Sequence, residues 1–229
     1  MLPISEIFYS IQGEGLHAGR PSVFIRLYYC NLYCSWCDSK YTWENQAKAK
    51  EGIDYFLVDD SSLFKIISNY KSKNIVITGG EPLIHQSYLI NTLKSLKERG
   101  YRIEIETNGT VMPKEELIQL VDLFTVSPKL SNSNVKYEHR IKPAVLSFFS
   151  SLENSVFKFV IVSNEDIEEV LSLIKEFKIS NEKVMLMPEG TDLETLVKRS
   201  IWLVEICKEH NFRYSPRIHI MLWGNKRGF

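Results

Sequence analysis

The chain has 229 residues, 44% of them hydrophobic and 24% charged, which suits one globular domain over residues 1–229 with its own core. Lys plus Arg and Asp plus Glu each number 28, and this balance argues against a broad nucleic-acid-binding or anionic membrane surface. The apolar runs, such as residues 156–162, are too short to span a bilayer, and that one carries Lys158.

In chain order, residues 4–9 read as a short extended segment. It leads into Gln12-Gly13-Glu14-Gly15, a turn whose glycines let the backbone approach another surface closely. Pro21 precedes a strand over 23–28, where Val23, Ile25 and Leu27 alternate with Phe24, Arg26 and Tyr28. An arginine inside a strand needs a partner or a polar cavity. Glu14, an interior acid such as Glu106, or the carboxylate of a substrate could each neutralise Arg26. The stretch Cys30-Asn31-Leu32-Tyr33-Cys34-Ser35-Trp36-Cys37 follows directly. Residues 38–60 show no strong periodicity and read as a long connection.

Ser61-Ser62 are expected to cap a helix running to about residue 70. A strand over 74–78 ends in Gly79-Gly80-Glu81-Pro82. A helix with Leu89, Leu93 and Leu96 in spacing stops at Gly100. A strand over 102–106 ends in Thr107-Asn108-Gly109. Pro113 opens a helix to about residue 121, and a strand over 123–126 ends in Ser127-Pro128-Lys129. Then come a helix near 142–150, a strand over 156–162, a helix capped by Asn164 to about 177, a strand over 184–187, a helix over roughly 192–210 and a last strand over 217–222.

Strand and helix alternate about six times, which predicts a parallel α/β sheet with crossover helices. The chain is short for a closed eight-fold barrel, so an open, incomplete (β/α)6-type barrel is expected, with chemistry at the C-terminal ends of the strands. Alternation turns Ile103 and Ile105 toward the helices, and Arg102, Glu104 and Glu106 inward. It likewise turns Phe157, Phe159 and Ile161 outward and Lys158 inward. Two readings stand for that polar interior: a ligand-filled cavity, or Lys158 simply neutralising Glu104 or Glu106.

Three thiols spaced x3 then x2 let one loop hold a metal centre, and three thiolates on a four-iron cluster leave one iron open. A structural zinc site wants four ligands, and no second cysteine pair exists; Cys207 stands alone and reads as a small core residue. Clustered thiols fit a reducing compartment, so the protein is expected in the cytoplasm. Gly79-Gly80-Glu81-Pro82 on its own is a tight turn.

Taken together, the cysteine loop and the Gly-Gly-Glu-Pro turn resemble those of the radical S-adenosylmethionine (SAM) superfamily. The ordered set Gln12-Gly-Glu-Gly, Arg26, Cys30/Cys34/Cys37-Asp38-Ser39, Thr78-Gly-Gly-Glu-Pro, Glu106-Thr-Asn-Gly, Ser127-Pro-Lys and Arg217-Ile-His219 with the tail resembles, nearly end to end, the 7-carboxy-7-deazaguanine synthase family. The resemblance implies a radical SAM barrel and a carbon–nitrogen lyase of queuosine biosynthesis. Its substrate would be 6-carboxy-5,6,7,8-tetrahydropterin, its products 7-carboxy-7-deazaguanine and ammonia. It also implies a 4Fe–4S cluster, SAM, Mg²⁺, a flavodoxin-like electron donor and a homodimer. The cluster and SAM carry the chemistry, and no side chain is assigned a catalytic role.

Carried over to this sequence, Cys30, Cys34 and Cys37 hold the cluster and Ser39 gives Mg²⁺ an oxygen. Trp36, Gly80, Glu81, Ser127, Pro128 and Lys129 hold SAM. Ile11, Gln12, Gly13, Glu14, Arg26, Thr78 and His219 contact the pterin, and the tail ending in Phe229 enters the site. Two rivals are a glycyl-radical activating enzyme, which would lack the Gln12–Glu14 turn and the C-terminal motif, and a zinc-stabilised binding module.

Overall fold

Alternating apolar residues build the sheet, and the computed structural model describes all residues from Met1 to Phe229. Strands β1 (Leu2–Ile11) and β2 (Pro21–Leu27) pair antiparallel, and β3 (Phe56–Val58) adds to the other edge of β1. From β2 onward the sheet is parallel, through β4 (Asn74–Gly79), β5 (Arg102–Thr107), β6 (Leu123–Val126), β7 (Ser155–Ile161), β8 (Val184–Pro188) and β9 (Arg213–Tyr214). The strand order is β3-β1-β2-β4-β5-β6-β7-β8-β9, and the two ends do not meet, so the barrel is open as expected.

The crossovers and terminal segments form α1 (Asp60–Ile67), α2 (Gln86–Glu98), α3 (Glu115–Ile118), α4 (Tyr137–Arg140), α5 (Pro143–Ser151), α6 (Glu165–Phe177), α7 (Leu193–His210) and α8 (Ile218–Trp223). No helix is long and apolar enough to cross a membrane.

The outward faces of the strands carry Ile25, Ile77, Ile105, Phe157 and Phe159. They pack against Leu63, Leu93, Leu96 and Val170 of the helices in one continuous core. Removal of this apolar surface from water drives the assembly. A small separate cluster of Leu123, Val156 and Met185 lies apart from that core, on the same face as Lys158 by strand alternation.

Three expectations are corrected. The cap of α1 is Asp59, whose carboxylate accepts the Ser62 N–H at 2.8 Å, not Ser61 or Ser62. Four consecutive cap-forming residues, Asp59 to Ser62, left the start ambiguous in the sequence. Asn164 occupies the start of α6 but makes no cap bond; the Asp166 carboxylate accepts from the Val162 and Ser163 N–H groups instead. Residues 218–222 lie in α8, with Arg217 at its N-cap, rather than in a last strand over 217–222. The sheet position beside β8 goes to Arg213–Tyr214, the Ser215 N–H makes the last bond to Leu186, and Pro216 has no N–H to continue.

The loop from Gln12 to Arg20 joins β1 to β2 at the N-terminal end of the parallel strands and folds into the concave side. It closes on itself through Gln12 N–H to Arg20 O and Gly19 N–H to Gln12 O, both 2.8 Å. It is tied across the barrel by Gly15 N–H to Ser215 Oγ at 2.8 Å and by His17 to Glu104 at 3.0 Å. This loop is the plug of the open barrel.

Candidate active site

The cysteine loop leaves β2 through Tyr29, whose φ of 74° reverses the chain. The Gly79-Gly80-Glu81 turn is clamped against it: Gly80 N–H donates to Leu27 O at 3.0 Å and Glu81 N–H to Tyr29 O at 2.9 Å. A Cβ on Gly80 would stand 1.9 Å from the Tyr29 carbonyl oxygen, so only glycine lets these two loops lie together. Cys30, Cys34 and Cys37 line one cavity of about 420 Å³, and none forms a disulfide.

Burial pushes the Cys30 thiol up to about 12 and raises that of Cys34, against the favourable charge of Lys129. Such thiols give up their protons to a metal rather than to water. The Cys37 sulfur accepts the Trp43 indole N–H at 3.3 Å. No fourth cysteine comes near: Cys207 is buried in α7, with its thiol donating to Arg213 O. The donor set therefore fits a cluster with one open iron and does not complete a four-ligand zinc site.

The same cavity is lined by Ile11, Gln12, Gly13, Glu14, Arg26, Trp36, Ser39, Thr78, Gly80, Ser127, Lys129, His219 and Phe229. Two of the expected residues sit otherwise. Glu81 is fully buried and outside the lining, its oxygens taken by the Leu83 N–H, the Asn108 N–H and the Thr107 hydroxyl. Desolvation raises its pKa against those bonds. Pro128 is also outside the lining. Beside Trp36, the Lys129 ammonium lies 5.6 Å from the indole centroid and donates to Ser127 Oγ at 3.0 Å. The Trp36 indole N–H donates to Asn132.

Below the cysteine loop, buried charges form a network anchored on the plug loop. Glu14 pairs with Lys158 at 2.5 Å and with Arg217 Nε at 2.9 Å. Arg217 also donates to Asp38 and, at 2.6 Å, to Gly190 O. Burial alone would raise the Glu14 pKa, but the charges of Lys158 and Arg217 outweigh it and hold the carboxyl well below its ordinary range. Burial pulls the His219 imidazole down despite Glu14, so it is neutral near pH 7. The His219 ring packs on Gly13, where a Cβ would stand 2.1 Å from Nδ1. Glu106 accepts the Gln12 amide at 3.1 Å and the Thr78 hydroxyl at 2.9 Å, which fixes both side chains at the wall.

Arg26 does face the cavity, but its partner is neither Glu14 nor Glu106. Its Nε donates to Glu6 at 2.7 Å, across the antiparallel register that sets Glu6 opposite Arg26. The terminal nitrogens of the guanidinium have no partner. Lys158 likewise meets Glu14 in an ion pair, with Glu104 held by Thr125 and His17. His219 comes from α8 rather than from a strand, yet still reaches the cavity.

Arg217 and Asp38 were given no role from the sequence, and Glu106 only that of a candidate partner for Arg26 or Lys158. Inward alternation pointed to Glu106, whereas nothing local marked Arg217, whose partners lie 203 and 179 residues away. Glu14, Asp38 and His219 could present ligand atoms to one cation, but Arg217 and Lys158 already neutralise the two acids. The tail closes the rim: Arg227 lies 3.8 Å over the Tyr41 ring, and Phe229 packs on Trp223 at 5.5 Å between centroids.

Comparison with known proteins gives the same reading. The sequence profile of the radical SAM superfamily matches residues 24–197. A 7-carboxy-7-deazaguanine synthase of Pyrobaculum aerophilum is 37% identical, over 98% of this chain and 96% of its own. That of Halobacterium salinarum is 35% identical, over 98% and 91%. The crystal structure of QueE from Escherichia coli superposes with a TM-score of 0.72 at 29% identity, covering 95% of this chain and 94% of that one.

Proposed function

This chain belongs to the radical SAM superfamily and, within it, to the 7-carboxy-7-deazaguanine synthases, and from that premise we propose how its residues divide the work. The reaction converts 6-carboxy-5,6,7,8-tetrahydropterin to 7-carboxy-7-deazaguanine with loss of ammonia. When bound, the 4Fe–4S cluster and SAM of this superfamily would supply reductive radical chemistry, and the protein would supply binding and orientation. The observation that carries the assignment of residues is the convergence of three free thiols, a Gly-Gly turn and a crown of polar side chains on one cavity.

Cys30, Cys34 and Cys37 hold the cluster. Lys129 and Ser127 offer a cation and a hydroxyl to SAM, Trp36 a flat face to its adenine, and Gly80 its backbone. Glu81 and Pro128 act one step back, by shaping the turns that carry Gly80 and Lys129. The Gln12 amide, the Thr78 hydroxyl and the backbone of Ile11 and Gly13 match the donor and acceptor edge of a pterin. Glu14 accepts from the same edge while Lys158 and Arg217 keep it ionised. Neutral His219 holds a proton on one ring nitrogen and accepts on the other. The free fork of Arg26 takes the substrate carboxylate. Ser39, buried beside Cys37, would offer one hydroxyl oxygen to Mg²⁺. Phe229 and the tail cover the substrate. Family membership supports a flavodoxin-like donor, a homodimer and a cytoplasmic setting.

Anaerobically reconstituted protein given SAM, a chemical reductant and the carboxy-tetrahydropterin should release the deazaguanine acid and ammonia. A loaded cluster without that product would overturn the assignment. In the same assay, Arg26→Lys keeps the charge and loses the fork, so it should weaken substrate binding by about 1–3 kcal/mol. Its preference over an analogue lacking the carboxylate should mostly vanish. Equal discrimination by both proteins would make Arg26 a partner of Glu6 only. Ser39→Ala should load cluster and SAM normally, turn over more slowly and change its response to added Mg²⁺. An unchanged magnesium titration would remove Ser39 from the metal site.

A further inference from the structure

The tail brings a second arginine to the Arg26 end of the cavity. Phe229 folds back onto Trp223, and residues 225–229 all line the cavity rim. The central carbon of the Arg227 guanidinium lies 3.8 Å from the Tyr41 ring centroid, and its Nε lies 3.6 Å from Glu6 Oε2. Tyr41 donates its hydroxyl to Glu6 Oε1 at 2.5 Å, the same oxygen that accepts Arg26 Nε at 2.7 Å. Glu6 and the Tyr41 ring are thus a common seat for two guanidiniums, one from β2 and one from the tail.

Two cations therefore meet one carboxylate. Glu6 Oε1 is used by Arg26 and Tyr41, while Oε2 and Arg227 stand beyond hydrogen-bond reach of each other. The other acids of the cavity wall are committed elsewhere. Glu14 and Asp38 pair with Lys158 and Arg217, Glu189 pairs with Arg199, and Glu106 accepts from Gln12 and Thr78. None of these four forms an ion pair with Arg26 or Arg227. One positive charge is left over at this wall, and the terminal nitrogens of both guanidiniums are free to donate. Like charges gathered on one carboxylate are relieved by a second anion.

We propose that Arg227 is a specificity-determining residue for the substrate carboxylate, which enters beside Arg26 and Arg227, balances the extra charge and draws the tail shut. Glu6 and Tyr41 are positioning residues. Glu6 holds Arg26 by Nε and leaves its fork open, and Tyr41 carries Arg227 on its ring face. The inference rests on the reading that Arg26 takes the substrate carboxylate.

The test compares pterin-6-carboxylate with pterin, two fluorescent probes that differ only by the carboxylate, on protein loaded with cluster and SAM. Wild type should prefer the acid. Arg227→Gln should bind the acid ~10-fold more weakly, the scale of one charged hydrogen bond, and bind pterin as wild type does. Tyr41→Phe keeps the ring face and should keep the preference, whereas Tyr41→Leu should lose much of it. Amide hydrogen exchange over residues 224–229 gives a readout that a merely structural arginine would not move. The acid should slow exchange there in wild type but not in Arg227→Gln, and pterin should slow it in neither. An Arg227→Gln protein that keeps the full preference, or that loses affinity for both probes equally, would overturn the proposal. Loss of the preference in Arg26→Lys alone would place the carboxylate on Arg26 without the tail. Wild type that prefers the acid but makes no deazaguanine acid from the tetrahydropterin would instead overturn the functional reading, and the two affinities would still decide Arg227.

Discussion

Glu14→Gln is expected to destabilise the protein by about 3–5 kcal/mol, the scale for removing one partner of a buried ion pair. Glutamine keeps the shape and one acceptor oxygen, so packing at Gly13 and Gly15 is preserved. What disappears is the only charge that faces both Lys158 and Arg217. Arg217 retains Asp38 and Gly190 O, whereas Lys158 keeps only the more distant field of Glu106. Most of the loss therefore falls on Lys158, and Glu14→Gln/Lys158→Met should recover much of it. Turnover should stay at least ~100-fold down in both proteins, because the substrate-facing carboxylate is gone in each.

The pH dependence carries a second signature of the same residue. Glu14 has its pKa depressed in the folded chain, so its contribution is fully present above the unfolded value near 4.5 and is lost as pH falls through the lower folded value. Wild type should lose stability along this acid limb, and Glu14→Gln should show a flatter one. Urea unfolding of cluster-free protein between pH 7 and pH 3 reads both effects. A variant as stable as wild type at pH 7 would show that Lys158 and Arg217 find other partners.

The second large effect is on metal content. Wild type reconstituted without oxygen should carry about four irons and four sulfides per chain. Cys30→Ala, Cys34→Ala and Cys37→Ala should each lose most of both and all turnover, while Cys207→Ala, a packing change in α7, should lose neither. Iron and sulfide assays report it directly. A fully loaded and active Cys34→Ala protein would remove that sulfur from the cluster.

The sequence made the scaffold legible because the strands are apolar on the helix-facing side and several carry polar residues on the other. Arg102, Glu104 and Glu106 alternate with Ile103 and Ile105, and Lys158 stands between Phe157 and Phe159; these polar positions located the cavity wall. The cysteine loop and the glycine turn were legible for a local reason, since their chemistry is carried by neighbours in the chain. Pairings between distant segments were not. Nothing near Arg26 says that β1 pairs antiparallel with β2 in the register that brings Glu6 opposite it. Residues 217–222 alternate Arg, Ile, His and Ile like a strand. Their helical form depends on Pro216 and on what Arg217 reaches across the barrel. Glu81 shows another limit. The family resemblance of its turn implied contact with SAM, and only the three-dimensional neighbours reveal that both oxygens are committed to holding the turn.

The plug loop also sets the order in which the molecule can be finished. Glu14 is made early in synthesis, yet its partners Lys158 and Arg217 lie 144 and 203 residues further on, and the hydroxyl that fastens Gly15 lies 200 residues on. Helices and adjacent parallel strands can form as the chain emerges, because their contacts are near in sequence. The plug cannot, since until the last segment appears its Glu14 carboxylate faces an open sheet end. Closure of the barrel floor is thus a late, long-range step. Lys158 from β7 and Arg217 from near the end of the chain lock a carboxylate made at its beginning, so a ribosome-bound chain that lacks residue 217 can hold most of its sheet without a completed site.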